Sequence, residues 1–137
     1  MQSRKGSVGS IMVTNLTTVL PGTPVIEVSR LMLDKHIRCV LVSDENGSLE
    51  GIVTDSDIVF AAAGKAGAHL EAPISGIMTK NPHTVDPDTD IYDVVATMGD
   101  KGFRRMPVVK DSKVVGVVSI RDIVRDILKN LGSEETD

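Results

Sequence analysis

Apolar positions along the chain follow two rhythms. Val25, Val28, Leu31 and Met32 recur at three- and four-residue spacing and predict one helix face. Ile91, Val94, Val95 and Met98 predict a second in the same way. After each helix come two short runs rich in β-branched residues, which read as strands. They are "RCVLV" (38–42) and "LEGIVT" (49–54), then "RRMPVV" (104–109) and "KVVGVVS" (113–119). Asn46-Gly47 marks a tight turn between the first two. Ile123, Val124, Ile127, Leu128 and Leu131 form the apolar stripe of a closing helix. Ahead of each set stands a short apolar turn, "VGSIM" (8–12) or "ISGIM" (74–78), and a brief extended piece at Thr18-Val19 or Thr84-Val85. Thr23 is placed to cap the first helix, with Pro24 at the first helical position, where its missing N–H costs nothing.

The two sets are copies of one unit. Shifted by 66, residues 11–43 fall on 77–109 with 13 identities, where unrelated stretches would give about two. The matches include Met12/Met78, Thr18/Thr84, Val19/Val85, Pro21/Pro87, Met32/Met98 and Arg38/Arg104. After a one-residue deletion, "GIVTDSDIV" (51–59) falls on "GVVSIRDIV" (116–124). Gly51/Gly116, Thr54/Ser119 and Asp57/Asp122 recur, whereas Asp55 and Ser56 become Ile120 and Arg121. The expected architecture is a mixed α/β (α+β) fold of two β-α-β-β-α repeats, at 8–64 and 73–131. One unit of some 60 residues buries only a marginal core, and pairing with its twin lets both cover their sheets. The Gly/Ala-rich stretch at 65–72 is the expected linker, and the acidic tail 132–137 is expected to be disordered.

Composition narrows the function classes. The net charge of −4 lacks the basic excess of a nucleic-acid binder, and with no Trp, one Tyr and two Phe there is no stacking platform for single strands. Cys39 stands alone in an apolar run and reads as an inert thiol. No stretch is apolar enough to span a membrane, and the polar N-terminus does not resemble a signal peptide, so a cytoplasmic location is expected.

"T-D-S-D" (54–57) and "S-I-R-D" (119–122) have two readings. Ser or Thr followed three residues later by an acid, ahead of an apolar helical run, is a capping box, and capping is the commoner reason for such a pattern. The same geometry suits a nucleotide. A helix N-terminus offers unpaired N–H groups and partial positive charge to a phosphate. A carboxylate one turn in can accept both hydroxyl protons of a ribose. Arg38, Arg104 and Arg105 stand where strands begin and can meet phosphate in bidentate fashion. Arg121 lies in the first turn of a helix, where the dipole disfavours a cation, which hints at an anion nearby.

The doubled unit resembles the cystathionine-β-synthase (CBS) domain family. The resemblance rests on "M-T-x-x-P-x-T-V-x-P-x-T" from Met78 to Thr89, "FRRMPVV" (103–109) and the closing "GVVSIRDI" (116–123), and covers the chain from about Val8 to Leu131. A tandem pair, or Bateman module, implies a pseudo-twofold sandwich, often assembled as a homodimer. It implies a regulatory sensor rather than a catalyst, binding adenosine-containing ligands (AMP, ADP, ATP, S-adenosylmethionine or a dinucleotide) in clefts between the repeats. Carried over by position, Asp57 and Asp122 take the ribose hydroxyls, and Thr54 and Ser119 face the phosphates. Arg38, Arg104 and Arg105 neutralise phosphate, and the base lies against Thr18-Val19 and Thr84-Val85. No cofactor is required beyond the regulatory nucleotide. The first repeat departs from the pattern: Cys39 replaces the second Arg, Leu41 stands for Pro107, and Asp55 adds negative charge, so a polyphosphate there calls for magnesium. The Ser119/Asp122 site is therefore expected to be the stronger.

Two other classes compete. A metal-dependent hydrolase built on "D-S-D" would need partners that the sequence does not supply: the repeat keeps one acid, and His36, His69 and His83 have no ligand spacing. No phosphate-loop or nucleophile-elbow motif occurs. A ligand-free dimerisation or partner-docking module would keep the fold and treat both motifs as caps. In either sensing or docking, the regulated effector is expected to be a separate protein.

Overall fold

The structure, a computed structural model, describes residues 6–64 and 70–135. The chain divides into two compact units, Leu16–Pro82 and Met1–Asn15 with His83–Asp137. In the first, β1 (Thr18–Val19) leads to α1 (Val25–Lys35), β2 (Cys39–Ser43), β3 (Leu49–Thr54) and α2 (Asp55–Gly64), and β4 (Thr79–Lys80) closes the unit. In the second, α3 (Ile91–Lys101) is followed by β5 (Arg105–Lys110), β6 (Lys113–Ser119) and α4 (Ile120–Glu135). Short 3₁₀ turns at Val8–Ser10 and Ile74–Gly76 occupy the two apolar turn sequences.

The first unit holds a four-stranded sheet in the order β1-β2-β3-β4, with β1 parallel to β2 and the other pairs antiparallel. The second shows the same pattern in reduced form. β5 and β6 pair antiparallel, Val85 bridges to Val108 in parallel, and Val13 bridges to Val117 in antiparallel. The spacing that predicts the first helix buries Val25, Val28 and Met32 against Val40, Val42, Val53 and Ile74. Val94 and Met98 likewise pack with Val8, Met106, Val108, Val118 and Ile123. Burying a Val or Met side chain contributes about 1.5–3 kcal/mol, so each cluster is a core in its own right.

The lead-in turns pack on the body of the other repeat. Val8 belongs to the core built from 83–137, and Ile74 to the core built from 16–82. The recurring glycines show how close the fit is. A Cβ at Gly51 would lie 2.5 Å from Met78 Sδ and 2.9 Å from the Thr79 carbonyl. At Gly116 it would lie 2.5 Å from Met12 Sδ and 3.1 Å from the Val13 carbonyl. The Gly51/Gly116 and Met12/Met78 identities thus form one contact made twice, with the lead-in segments exchanged.

Two expectations are corrected, the cap of α1 and the stripe of α4. Pro24, not Thr23, is the N-cap of α1, and no side chain caps it. The first helical N–H groups are satisfied from elsewhere: Val25 N donates to the Ala72 carbonyl and Ile26 N to the Leu70 carbonyl. Part of the expected linker thus serves as a cap, while 65–69 lie outside the described residues. The bounds of α4 take in residues 132–135 of the acidic tail. Residues 136–137 lie outside the described ones. Of the predicted α4 stripe, Ile123 is buried at 4% exposure, but Val124 and Leu128 stand 48% and 63% exposed, with Ile127 and Leu131 between them in exposure. Ile123 alone in that stripe belongs to the core.

Candidate functional site

Both predicted capping boxes form. Thr54 N donates to Asp57 Oδ2 at 2.8 Å, and Asp57 N donates to Thr54 Oγ1 at 3.2 Å. Ser119 N donates to Asp122 Oδ2 at 2.8 Å, and Asp122 N to Ser119 Oγ at 3.3 Å. The Ser119 hydroxyl also donates to Asp122 Oδ2 at 3.0 Å. Each pair is half-buried where a strand passes directly into a helix, β3 into α2 and β6 into α4.

Antiparallel pairing brings the arginines to the same ends of the sheets. Cys39 lies opposite Thr54, and Arg105 opposite Ser119. Arg38 and Arg104 are tied to the helix starts through the backbone: Asp55 N donates to the Arg38 carbonyl, and Ile120 N to the Arg104 carbonyl, each at 3.0 Å. Arg38, Arg104 and Arg121 are exposed and Arg105 is half-buried, so three of the four guanidinium groups lie in water. The lead-in pieces flank the same strands. Thr18 pairs with Leu41 and Val19 with Val42, while Val85 N donates to the Pro107 carbonyl and the Val85 carbonyl accepts from Val109 N. Thr18 and Thr84 are exposed, and Val19 and Val85 pack on the cores.

Within Leu16–Pro82 the structure therefore gathers Arg38, Thr54 and Asp57 at one sheet end, whereas Thr18 and Val19 lie beside Leu41 and Val42, farther along β2. Within the other unit it gathers Arg104, Arg105, Ser119, Arg121 and Asp122, whereas Val85, with Thr84 before it, lies beside Val108, farther along β5. Each group combines a carboxylate able to accept hydroxyl protons, a helix N-terminus and at least one cation. That combination matches the ribose and phosphate of a nucleotide.

Two features escaped the sequence reading. Arg125 Nη1 reaches Asp122 Oδ1 at 3.4 Å, an i,i+3 pair whose spacing alone could have announced it. The repeat places Phe60 at the corresponding position of the first unit. A cavity of about 680 Å³ lies by the β2–β3 turn, at the end of the sheet away from Thr54, and includes Asp44, Glu45 and Glu50 in its lining. It contains none of the predicted site residues, and its carboxylates oppose an anionic ligand. Among the described residues, no three His, Cys, Asp or Glu side chains are grouped as metal ligands, and no helix is long and apolar enough to cross a membrane.

Residues 8–64 and 74–129 each match the CBS domain family. A curated relative, an uncharacterised 17.7 kDa protein in the bps2 3′ region of Acidianus ambivalens, is 33% identical over 88% of this chain and 73% of its own length. Some other curated relatives are longer, and the chain spans 63% of one and 24% of two others. Among solved structures, the CBS domain pair of protein MJ0100, in complex with 5′-methylthioadenosine and S-adenosyl-L-methionine, is 28% identical with a TM-score of 0.81. That match covers 90% of this chain and 97% of that one. CBSX2 in complex with AMP is also 28% identical, with a TM-score of 0.77 over 90% of this chain and 96% of that one.

Proposed function

Because this chain belongs to the CBS domain family and carries two such domains in tandem, we propose that it is a non-catalytic regulatory module that senses adenosine-containing ligands. The observation that carries this reading is the coupling of each hydroxyl–carboxylate cap to an arginine at the same sheet end, through Asp55 N to the Arg38 carbonyl and Ile120 N to the Arg104 carbonyl. Asp57 and Asp122 take the ribose hydroxyls, and Thr54 and Ser119 turn toward the phosphate. Arg38 serves the first site, and Arg104, Arg105 and Arg121 the second. The base rests on Thr18-Val19 or Thr84-Val85. Magnesium would offset Asp55 if a polyphosphate lies beside Thr54. AMP in one structural relative and S-adenosylmethionine in another support an adenosine ligand. On this reading the occupied module passes its state to a separate effector protein.

The exposed stripe of α4, Val124, Ile127, Leu128 and Leu131, supports a homodimer. The same stripe favours a second reading, docking without a ligand, since each cap is already satisfied internally. Thermal shift with adenosine, AMP, ADP, ATP and S-adenosylmethionine separates the two. A ligand at 100 times its Kd stabilises by about 2.7 kcal/mol, and Asp57→Asn and Asp122→Asn should each remove part of that gain. No shift with any of the five compounds would leave docking as the function.

A further inference from the structure

Resting on the ribose reading of the two caps, the geometry points to an order of filling set by Arg125: we propose that the Asp57 cap binds its ligand first and that Arg125 latches the Asp122 cap. A carboxylate has about four acceptor positions, two on each oxygen. At Asp57, Oδ2 accepts from Thr54 N, and Oδ1 has no donor among the described residues. At Asp122, Oδ2 accepts from both Ser119 N and Ser119 Oγ, and Oδ1 accepts from Arg125 Nη1. A ribose diol brings two hydroxyl donors. Asp57 can accept both without losing a partner, whereas Asp122 must release Arg125 or the Ser119 hydroxyl. The side chain of Asp122 is 9% exposed and that of Arg125 68%. The latch is therefore a solvated cation over a largely covered acid, so it can open to water without leaving an unpaired buried charge on the arginine. Phe60, at the corresponding place in the first unit, has no charge with which to hold Asp57. This order is the reverse of the one expected from sequence, where Cys39 and Asp55 set the first site below the second.

Isothermal titration with adenosine and with AMP tests the proposal, the sites being assigned by Asp57→Asn and Asp122→Asn. The wild-type protein should fill the Asp57 site more tightly. Arg125→Gln should tighten the Asp122 site about two- to fivefold, the range of a solvated ion pair. Phe60→Arg should weaken the Asp57 site by a similar factor, and Arg125→Lys should keep wild-type behaviour at low salt. Both effects should shrink at high salt, which loss of a merely structural contact would not do. If Arg125→Gln leaves the Asp122 site unchanged or weakens it, while Asp122→Asn still abolishes binding there, the latch is wrong and the ribose reading stands. If neither Asp57→Asn nor Asp122→Asn changes binding, or neither probe binds, the ribose reading falls and the latch with it.

Discussion

Replacing Asp57 by alanine removes the acceptor of the Thr54 N–H, a half-buried donor held at 2.8 Å, and an anion from the first turn of α2. Loss of such a cap costs about 1–2 kcal/mol. Unfolding entropy of about 2.1 cal/mol/K per residue over the whole chain converts this to a fall in Tm of about 3–7 °C in ligand-free protein. Asp57→Asn keeps an acceptor oxygen for Thr54 N and loses only the charge, worth about 0.3–1 kcal/mol beside a helix N-terminus, or about 1–3 °C. Thr54→Ala removes the weaker partner bond, from Asp57 N at 3.2 Å, and should fall between the two. Differential scanning calorimetry measures all three. If Asp57→Ala melts with the wild type, or Asn costs as much as Ala, the hydrogen bond to Thr54 does not stabilise α2 and the reasoning fails.

Other outcomes follow from the fold. Gly51→Ala pushes a methyl group against Met78 and the Thr79 carbonyl; overpacking of this kind costs about 1–3 kcal/mol, read as a lower denaturation midpoint. His36 ends α1 at φ 55°, so His36→Gly should relieve strain and raise stability by up to about 1 kcal/mol, measured by urea titration. Asp111 and Ser112 turn the β5–β6 hairpin at φ 51° and 66°; Asp111→Asn with Ser112→Gly should stabilise it, and a lower Tm would refute the turn assignment. Leu128→Glu on exposed α4 should shift sedimentation toward monomer and remove any dependence of the Tm on protein concentration.

Much of this architecture is legible in the chain because local signals and tertiary needs agree. The alternation of helix faces with β-branched runs places α1, α3 and the four longer strands. The [ST]-x-x-D spacing places both caps, since a capping box needs only residues three apart. What escapes the sequence depends on distant partners. Pro24 takes the cap position because the carbonyls of Leu70 and Ala72 reach the start of α1. β4 exists only because Thr79 and Lys80 find Ile52 and Gly51. The α4 stripe has helical periodicity whether or not anything covers it, so spacing alone could not show that only Ile123 meets the core. Arg38 and Arg104 could be assigned to strand starts, but their attachment to the caps is a consequence of antiparallel register.

The exchanged lead-in turns also bear on how the chain comes together. The unit Leu16–Pro82 is continuous, so every contact it needs is present once that stretch has left the ribosome. The other unit must join its first segment to residues 83–137 across an intervening stretch of roughly 70 residues, an entropic cost that grows only slowly with loop length. Its core is complete only when Val8 arrives. Folding should therefore be sequential, and a fragment cut at the boundary of the sequence repeat would lack a core residue. A circular permutant that starts at Leu16 and joins the old termini would make both units continuous.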